Sequence, residues 1–477
     1  MTAKAAPWVT PDDVSARLSL TALVDAGVMR LNIATWPIAW ASIDRELTRV
    51  DETRLSSPGL RRAYRHLVFE VSRVKQNSVL AEAGLRASNE SPYLNGFGDT
   101  QHEKNEAWLQ LEGRGRHWAG ALKVTALEGN YDDVPHARLD GSYLAFLAGN
   151  WVIGAGAVER WWGPGWSNAL SLSTNAHPVP GLFLRRLADD APESPWFSWM
   201  GPVSFEAFMG QLEEDRYVSD AKFLGLRFSM QPFAGLELGF FRNAQWGGEG
   251  RPQSLSSLFD LLLGRDNFSA EDEGKSTEPG NQIAGVDARY SLGRWGLPLA
   301  LYMQFYGEDE ANLIPSKRAW ILGGEGSVYI PSGDLLKVWV EYTNTIAGGL
   351  EGTPKYNTAY NHSIYKSGYR FGGRNLGSAF DSDSEVFTLG TLYQTSRQAL
   401  IGGHFDVLKL NKAGDLRTAA PGGEFYQTDT WSATGFYQNN WRQWQYTAGL
   451  TVYGDQIATQ LANSGDFRIF VEGVYRF

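Results

Sequence analysis

The chain has 477 residues, with 43 Lys and Arg against 53 Asp and Glu, and its formal net charge is -10. This acidic balance argues against nucleic acid as a partner, because phosphate binding needs clustered basic side chains. The chain has no cysteine, which excludes a disulfide scaffold and a thiolate metal site. Its 18 Trp, 20 Tyr and 24 Phe are residue types that gather at membrane interfaces and stack on sugar rings.

The N-terminal part of the chain, residues 1–77, shows helical periodicity. The opening "MTAKAAPWVTPDD" has no apolar signal-peptide region, so an exported protein would be shown here in processed form. The sequence "TPDD" predicts a helix start and Gly27 a helix end. We expect two further helices, from about Ala39 to Val50 and from about Leu60 to Val74. The third helix carries arginines off its apolar stripe, which form either a solvated face or a docking surface for a partner: Arg61, Arg62, Arg65 and Arg73.

From about Ser78 onward the apolar period is two, which is typical of β-strands with one apolar face. Each alternating segment is about ten residues long, the length of a tilted strand that crosses a bilayer. We count roughly 16 to 18 such segments. Representative ones begin near Leu122, Leu224, Leu299, Leu336, Ile401 and Tyr446.

The uncharged stretch Gly141 to Val158 is the one segment that resembles a membrane-spanning helix. Gly149-Asn150 lies in its middle, and this dipeptide is typical of a two-residue hairpin turn. We therefore predict two strands here.

The last segment, "FRIFVEGVYRF", alternates apolar and polar residues and ends on Phe477. A half-buried strand of a soluble sheet would show the same alternation, but a soluble sandwich rarely contains so many long strands. The chain-wide repetition favours a transmembrane, antiparallel β-barrel whose last strand pairs with its first. Three connections are too long for turns and either lie outside the barrel or fold inward: Trp161 to Pro180, about Gln245 to Asn281, and about Ile346 to Asp383.

These long connections carry a family resemblance. The segments "RWWGPGWSNALSLSTNAHPVPGL", "QWGGEGRPQSLSSLFDLLLGRDN", "EPGNQIAGVD" and "NHSIYKSGYR", with "LVDAGVMRLNIATWPI" near the N-terminus, resemble the signature segments of the capsule-assembly Wzi family. The resemblance implies a barrel of 18 strands (residues 78–477) in the cell outer membrane, and a periplasmic helical bundle (residues 1–77). It implies a surface lectin that binds and anchors capsular or related polysaccharide, without a cofactor or catalysis. Further partners would be outer-membrane lipid and the polysaccharide export machinery.

A saccharide presents apolar C–H faces and a rim of hydroxyls, so a binding surface needs flat aromatic rings beside fixed donors and acceptors. The long connections supply candidates of both kinds: Trp161, Trp162, Trp166 and Trp246, with Glu249, Arg251, Asn281, Gln282, His362, Tyr365 and Lys366. Two structural alternatives stay open. The first three tryptophans would instead form an interface belt or pack the loop on itself, and Trp246 to Arg251 would form an internal loop clamp.

Metal and catalytic sites have little support in the sequence. The acidic runs Glu271 to Glu273 and Glu308 to Glu310 lack the ligand spacing of a calcium loop, and the 7 histidines show no zinc-helix pairing. The alternative function is a porin or sugar-selective channel. In that case four basic residues would line the lumen and set its ion preference: Lys123, Arg227, Arg289 and Lys337.

Overall fold

The computed structural model describes residues 8–55, 57–128, 136–262, 280–311, 314–348, 353–415, 424–459 and 463–477. Three N-terminal helices precede a closed antiparallel barrel, as the sequence predicts. The helices are α1 (Val14–Asp25), α2 (Trp40–Arg49) and α3 (Pro58–Gln76), and a fourth, α4 (Leu255–Leu262), lies in a barrel connection. No helix within these described ranges is long and apolar enough to cross a membrane.

The barrel consists of 18 strands in which each strand pairs with its sequence neighbour. The strands are β1 (Val79–Ser88), β2 (Asn105–Arg114), β3 (Trp118–Glu128), β4 (Tyr143–Ala148), β5 (Trp151–Gly156), β6 (Gly181–Arg186), β7 (Val203–Gln211), β8 (Lys222–Phe233), β9 (Leu236–Trp246), β10 (Gly280–Ser291), β11 (Leu299–Ala311), β12 (Ile314–Tyr329), β13 (Leu335–Asn344), β14 (Glu385–Gln394), β15 (Leu400–Leu410), β16 (Thr428–Trp441), β17 (Trp444–Tyr453) and β18 (Phe467–Arg476).

Closure and the hairpin at residues 149–150 both confirm the sequence predictions. β18 pairs with β1 from Phe470 opposite Ser88 to Arg476 opposite Glu82. β4 and β5 form the predicted hairpin, and Gly149 has φ +60° at its turn, a conformation that suits glycine. A two-residue strand, Ala137–Arg138, pairs with β3 above β4. It shares the position of β4 in the ring, so the barrel keeps 18 strand positions.

The two ends of the barrel differ. At the turn end most connections are short, such as residues 149–150, 234–235 and 442–443, and the exception is residues 187–202. At the loop end the connections include residues 89–104, 157–180, 247–279 and 345–384. This asymmetry is typical of outer-membrane barrels, in which long loops face outward.

The outer wall is apolar, with exposed aromatic rings toward each end. On β18, Phe467, Ile469 and Val471 are each about half exposed, whereas Arg468 points inward and is buried. Lipid would cover this outer face. Exposed tryptophans mark the turn end (Trp118, Trp151, Trp196, Trp199, Trp295, Trp441 and Trp444), and Trp431 lies near the loop end.

The helices pack together and against the barrel. The apolar stripe of α3 is buried as predicted, including Leu60, Leu67 and Val71. Arg62 of α3 donates to the carbonyl of Gly333 in a β12–β13 turn. Arg62 therefore helps to hold α3 against the barrel. The third helix ends at Gln76 and the barrel begins at Val79. The helices are not a free-standing unit, because α1 lies inside the lumen.

One inward tryptophan depends on a glycine in the neighbouring strand. Trp339 of β13 lies opposite Gly390 of β14, and its ring stacks on Trp166 with 5.3 Å between centroids. A Cβ atom on Gly390 would lie 2.0 Å from Cζ2 of Trp339. We expect Gly390→Ala to destabilise the barrel by about 1–3 kcal/mol, since the ring must leave its stack. Heat-modifiable electrophoretic mobility measures this loss. The control is Gly435→Ala, whose Cβ would meet no atom within 4 Å, and equal melting of both variants would contradict the prediction.

Candidate functional site

Three chain segments fill the lumen on the side of strands β5–β13. They are residues 8–39 with α1, the inward-folded connection 157–180, and part of the connection 345–384. Thr35–Trp36 pairs with Trp161–Trp162 as a two-stranded sheet inside the barrel. We call these three segments the plug.

A buried charge cluster holds α1 of the plug against the barrel wall. Asp25, at the end of α1, accepts from Arg289 Nη2 of β10 at 2.6 Å and from Lys337 Nζ of β13 at 3.2 Å. Glu325 of β12 pairs with the same two cations, at 2.7 Å from Lys337. All four side chains are buried, so each charge depends on its partners.

A second buried network holds the plug residues that follow α1. Arg227 of β8 pairs with Asp287 of β10 and donates to Thr35 Oγ1 at 3.0 Å. Glu237 of β9 accepts from the backbone N–H groups of Ile33 and Ala34 at 2.8 and 3.0 Å. The wall thus satisfies backbone groups of an irregular segment at membrane depth, as burial requires.

The three tryptophans of residues 157–180 lie within the plug. Trp161 and Trp162 have 0% exposure. Trp161 donates to the carbonyl of Gly165 at 3.0 Å, and Trp166 donates to Glu325 at 2.6 Å. The rings of Trp161 and Trp162 are covered on all sides, and Trp166 is 3% exposed where it borders the cavity on the other side of the lumen. Their surroundings match the alternative in which they pack the loop, and an interface belt is ruled out by their position inside the barrel.

The other candidate residues converge at the loop end, above strands β7–β10. Trp246 is buried and donates to Ser257 of the α4 connection at 3.2 Å. Asn281 is buried and donates to Gln245 at 3.0 Å, and Gln282 accepts from Arg242 at 2.6 Å. We call this assembly, together with Tyr217, Glu249, Arg251 and residues 362–368, the loop-end cluster.

Residues 362–368 join this cluster to the plug. Tyr365 is buried and donates to the carbonyl of Gly247 at 3.0 Å, while Gln245 donates to the carbonyl of Gly368 at 2.8 Å. The first contact uses the backbone of "QWGGEG", where Gly247 and Gly248 have φ +66° and +99°. The predicted alternative is a clamp internal to this loop, whereas these two contacts hold two different connections together.

The outer surface of the cluster exposes a ring and several charged groups. Lys366 Nζ lies 4.4 Å from the ring centroid of Tyr217, and Tyr217 is 55% exposed. Glu249 is exposed, and Arg251 and His362 are partly exposed. Sequence reasoning missed Tyr217, because a single tyrosine in the acidic turn "EEDRYVSD" carries no signal of its own.

Arg216 fixes this turn from below. It donates to the carbonyls of Arg370 and Gly368, both at 3.1 Å, and pairs with Glu213 at 3.2 Å. Burial lowers the pKa of Arg216, yet a guanidinium remains charged at neutral pH. The Tyr217 backbone N–H donates to Ser367 at 2.9 Å, so the exposed ring is held by two connections.

The chain matches known proteins over most of its length. The model of the family described as "Capsule assembly protein Wzi" matches residues 74–466. The chain belongs to this family. The match includes residues 384–460, where the sequence shows strand periodicity without a signature segment.

Two relatives of this Wzi-family chain differ in how much they share with it. An uncharacterized 55.8 kDa protein in the cps region of Klebsiella pneumoniae is 33% identical over 322 residues, which are 66% of this chain and 61% of that protein. The match thus spans less than two thirds of this relative.

The solved structure of Wzi from Escherichia coli has a TM-score of 0.85 at 25% identity, and the match covers 99% of this chain and 100% of that one. That protein is described as an outer-membrane, carbohydrate-binding β-barrel involved in group 1 capsule assembly. The present Wzi-family barrel is likewise an outer-membrane protein.

The four basic residues that would line the lumen of a porin point inward, but none of them faces an open path through the barrel. Arg227, Arg289 and Lys337 are buried against the plug, and their charges are matched by carboxylates. Lys123 borders a separate cavity on the other side of the lumen. Of the two acidic runs, Glu271 to Glu273 lies outside the described residues, and the side chains of Glu308 to Glu310 are not described. In the described ranges no group of His, Asp or Glu could hold a metal ion.

Proposed function

We propose that this Wzi-family barrel binds and anchors capsular or related exported polysaccharide at the cell surface, as a lectin and not an enzyme. One observation carries the proposal: eight of the predicted sugar-binding residues come together at the loop end, beside an exposed tyrosine. The sequence separates them by more than a hundred positions, from Trp246 to Lys366. The carbohydrate binding of the E. coli protein supports the same conclusion.

The exposed chemistry of the cluster suits a glycan chain. The ring of Tyr217 offers a flat surface for a sugar C–H face, and Glu249 and Arg251 offer an acceptor and donors for hydroxyls. Lys366 adds a positive charge beside the ring, while Glu249 and the acidic turn that holds Tyr217 add negative charge, so the cluster offers charged groups of both signs to a glycan. The ring and the donors lie on connections held by Tyr365 and Arg216, so little ordering accompanies binding.

The plug on one side of the lumen and the apolar cap above the other side favour this function over the porin. A diffusion pore needs an open path, whereas the plug occupies the side of the lumen along strands β5–β13. We propose that the loop end faces the exterior and that α2 and α3 face the periplasm. Export machinery would then meet this end, where Arg49, Arg54 and Arg65 are exposed.

The test is binding of the purified protein in detergent to surface polysaccharide from its own source. We expect Tyr217→Ala and Lys366→Ala each to weaken binding about tenfold, since a stacked ring or a charged hydrogen bond contributes roughly 1–3 kcal/mol. The control is Tyr426→Ala, an exposed tyrosine elsewhere at the loop end, which should bind normally. Trp161→Ala tests the buried tryptophans and should act through folding alone. Unchanged binding by both cluster variants would contradict the proposed site.

A further inference from the structure

A cavity of about 380 Å³ occupies the side of the lumen that the plug leaves unfilled. Its wall is formed by β1–β3 and β15–β18, and residues 10–15 and 92–101 border it from inside the barrel. The volume lies within the range of about 300–1,000 Å³ that is usual for small-ligand sites. We call it the lumen chamber.

The chamber is capped at the loop end and reaches the turn end. Above it, inward apolar residues of β14, β15 and β17 form a buried cluster with Phe380, and Tyr93 and Leu94 pack against this cluster. Below, its lining extends to Leu80, Gln445 and Phe477 at the turn end. A ligand would therefore enter from the turn end, beside α3, whose Arg73 and Val74 also line the chamber.

Neutral polar groups line the lower part of the chamber. Gln438 and Thr447 face each other across β16 and β17, and Gln445 and Gln110 lie in the same lining. The side-chain amides of Gln110, Gln438 and Gln445 make no hydrogen bond to any described residue, although all three are partly buried. Each amide offers two donors and an acceptor, which is the combination that sugar hydroxyls use.

The charged groups of the described lining leave the chamber acidic by count, with eight carboxylates against five basic side chains. The carboxylates are those of Asp12, Asp13, Glu82, Asp99, Glu112, Glu159, Asp406 and Glu472, and the basic side chains are those of Arg73, Arg86, Lys123, Arg468 and Arg476. Glu82, Asp99 and Glu159 line it, and none has an ion-pair partner within 4.0 Å among the described residues. Arg86 of the same lining is already matched, since it pairs with Glu472 and Glu106. A ligand with acidic sugars would be repelled here, and an apolar ligand would strip water from the amides without replacing their hydrogen bonds. Aromatic rings supply apolar surface between the polar groups: Phe436, Phe470 and Trp108.

We propose that the lumen chamber is a second carbohydrate site, open to the turn end, that takes a segment of an uncharged oligosaccharide. It is separate from the loop-end cluster, which exposes Lys366 and Arg251, and its amide and carboxylate lining selects against acidic sugars. The two sites do not depend on each other, so either stands if the other fails.

The chain contains no cysteine, so Thr447→Cys places a single thiol in the chamber. In detergent, the full-length variant is alkylated with a small water-soluble maleimide, with and without sugar. The uncharged probes are maltohexaose, cellohexaose and xylohexaose, and the acidic probe is hexagalacturonate. We expect at least one uncharged hexamer to slow labelling saturably at millimolar concentration, and hexagalacturonate to have no effect.

Further substitutions in the Thr447→Cys protein then test the lining. Adding Gln438→Ala should weaken protection about tenfold, while Asn439→Ala, an amide one position away that bonds to Tyr437, should leave it unchanged. If Gln438→Ala fails to fold, as judged by heat-modifiable mobility, Gln110→Ala on β2 replaces it. Adding Tyr217→Ala should leave the protection of the introduced thiol unchanged.

Three results would overturn the proposal: a thiol that no reagent reaches, labelling that no uncharged hexamer slows, or equal protection by hexagalacturonate. Equal weakening by Asn439→Ala would also count against it. Loss of polysaccharide binding in the Tyr217→Ala protein, with the chamber still protected, would separate the two sites.

Discussion

Asp25→Ala should release α1 from the barrel wall, with a loss of about 3–5 kcal/mol. The substitution leaves Arg289 and Lys337 sharing one remaining carboxylate, Glu325, in a buried site. A buried ion pair that loses one partner is strongly destabilised, because the remaining charge is neither solvated nor matched. Hydrogen exchange with mass spectrometry should show lost protection in residues 14–25. The released helix should also open an ion path that planar-bilayer recordings detect.

The matched control is Asp44→Ala in α2. Asp44 also accepts from a lysine, Lys75 Nζ at 2.6 Å, but both side chains are substantially exposed. Exposed pairs contribute roughly 0–1 kcal/mol, so this variant should keep its protection and stay closed. Native protection of α1 in Asp25→Ala would show that apolar packing alone holds the helix.

Arg370→Met should disrupt the inner part of the connection 345–384, at a cost of about 3–5 kcal/mol. Arg370 is buried and donates to both carboxylate oxygens of Asp381, at 2.9 and 2.6 Å, and to Asn361 at 2.8 Å. It also lies 3.3 Å from Glu424. Methionine fills similar volume but removes the cation that pairs with the buried carboxylate of Asp381.

Two measurements separate packing from binding in this variant. Hydrogen exchange should rise across residues 358–382, and polysaccharide binding should fall about tenfold or more, because Tyr365 and Lys366 lose their support. Lys355→Met, an exposed lysine of the same connection, should change neither. Raised exchange with unchanged binding would contradict the proposed site and leave the packing argument intact; unchanged exchange would contradict the packing argument.

The strands and their closure could be predicted because their signal is local. Alternation of side chains follows from strand geometry, and an outer face in lipid keeps it visible on strand after strand, as Phe467, Ile469 and Val471 illustrate. The signals for helix ends were also local. Asp13 accepts from the backbone N–H of Ala16 at 2.8 Å at the start of α1, and Gly27 follows the end of α1 with φ +69°. Such features depend on neighbours within a few residues.

The functions of individual side chains could not be predicted in the same way. A tryptophan looks the same in a sequence whether its ring packs on protein or on sugar. Only its neighbours in the folded structure decide which of the two roles it has. Trp161 lies opposite Trp36, a partner far away in the sequence, and is therefore covered. Tyr217 has no such signal in sequence but is exposed, because Arg216 and Ser367 hold its turn outward.

The sequence by itself determined the membrane barrel, its approximate strand number, the helical start and the family, since periodicity and signature segments need no knowledge of distant contacts. Only the tertiary structure decided which inward charges are matched. Asp25 meets Arg289 across 264 positions, and burial makes that pairing obligatory while no local pattern records it. The filled half of the lumen, the open chamber and the exposed ring at the loop end all follow from such long-range contacts.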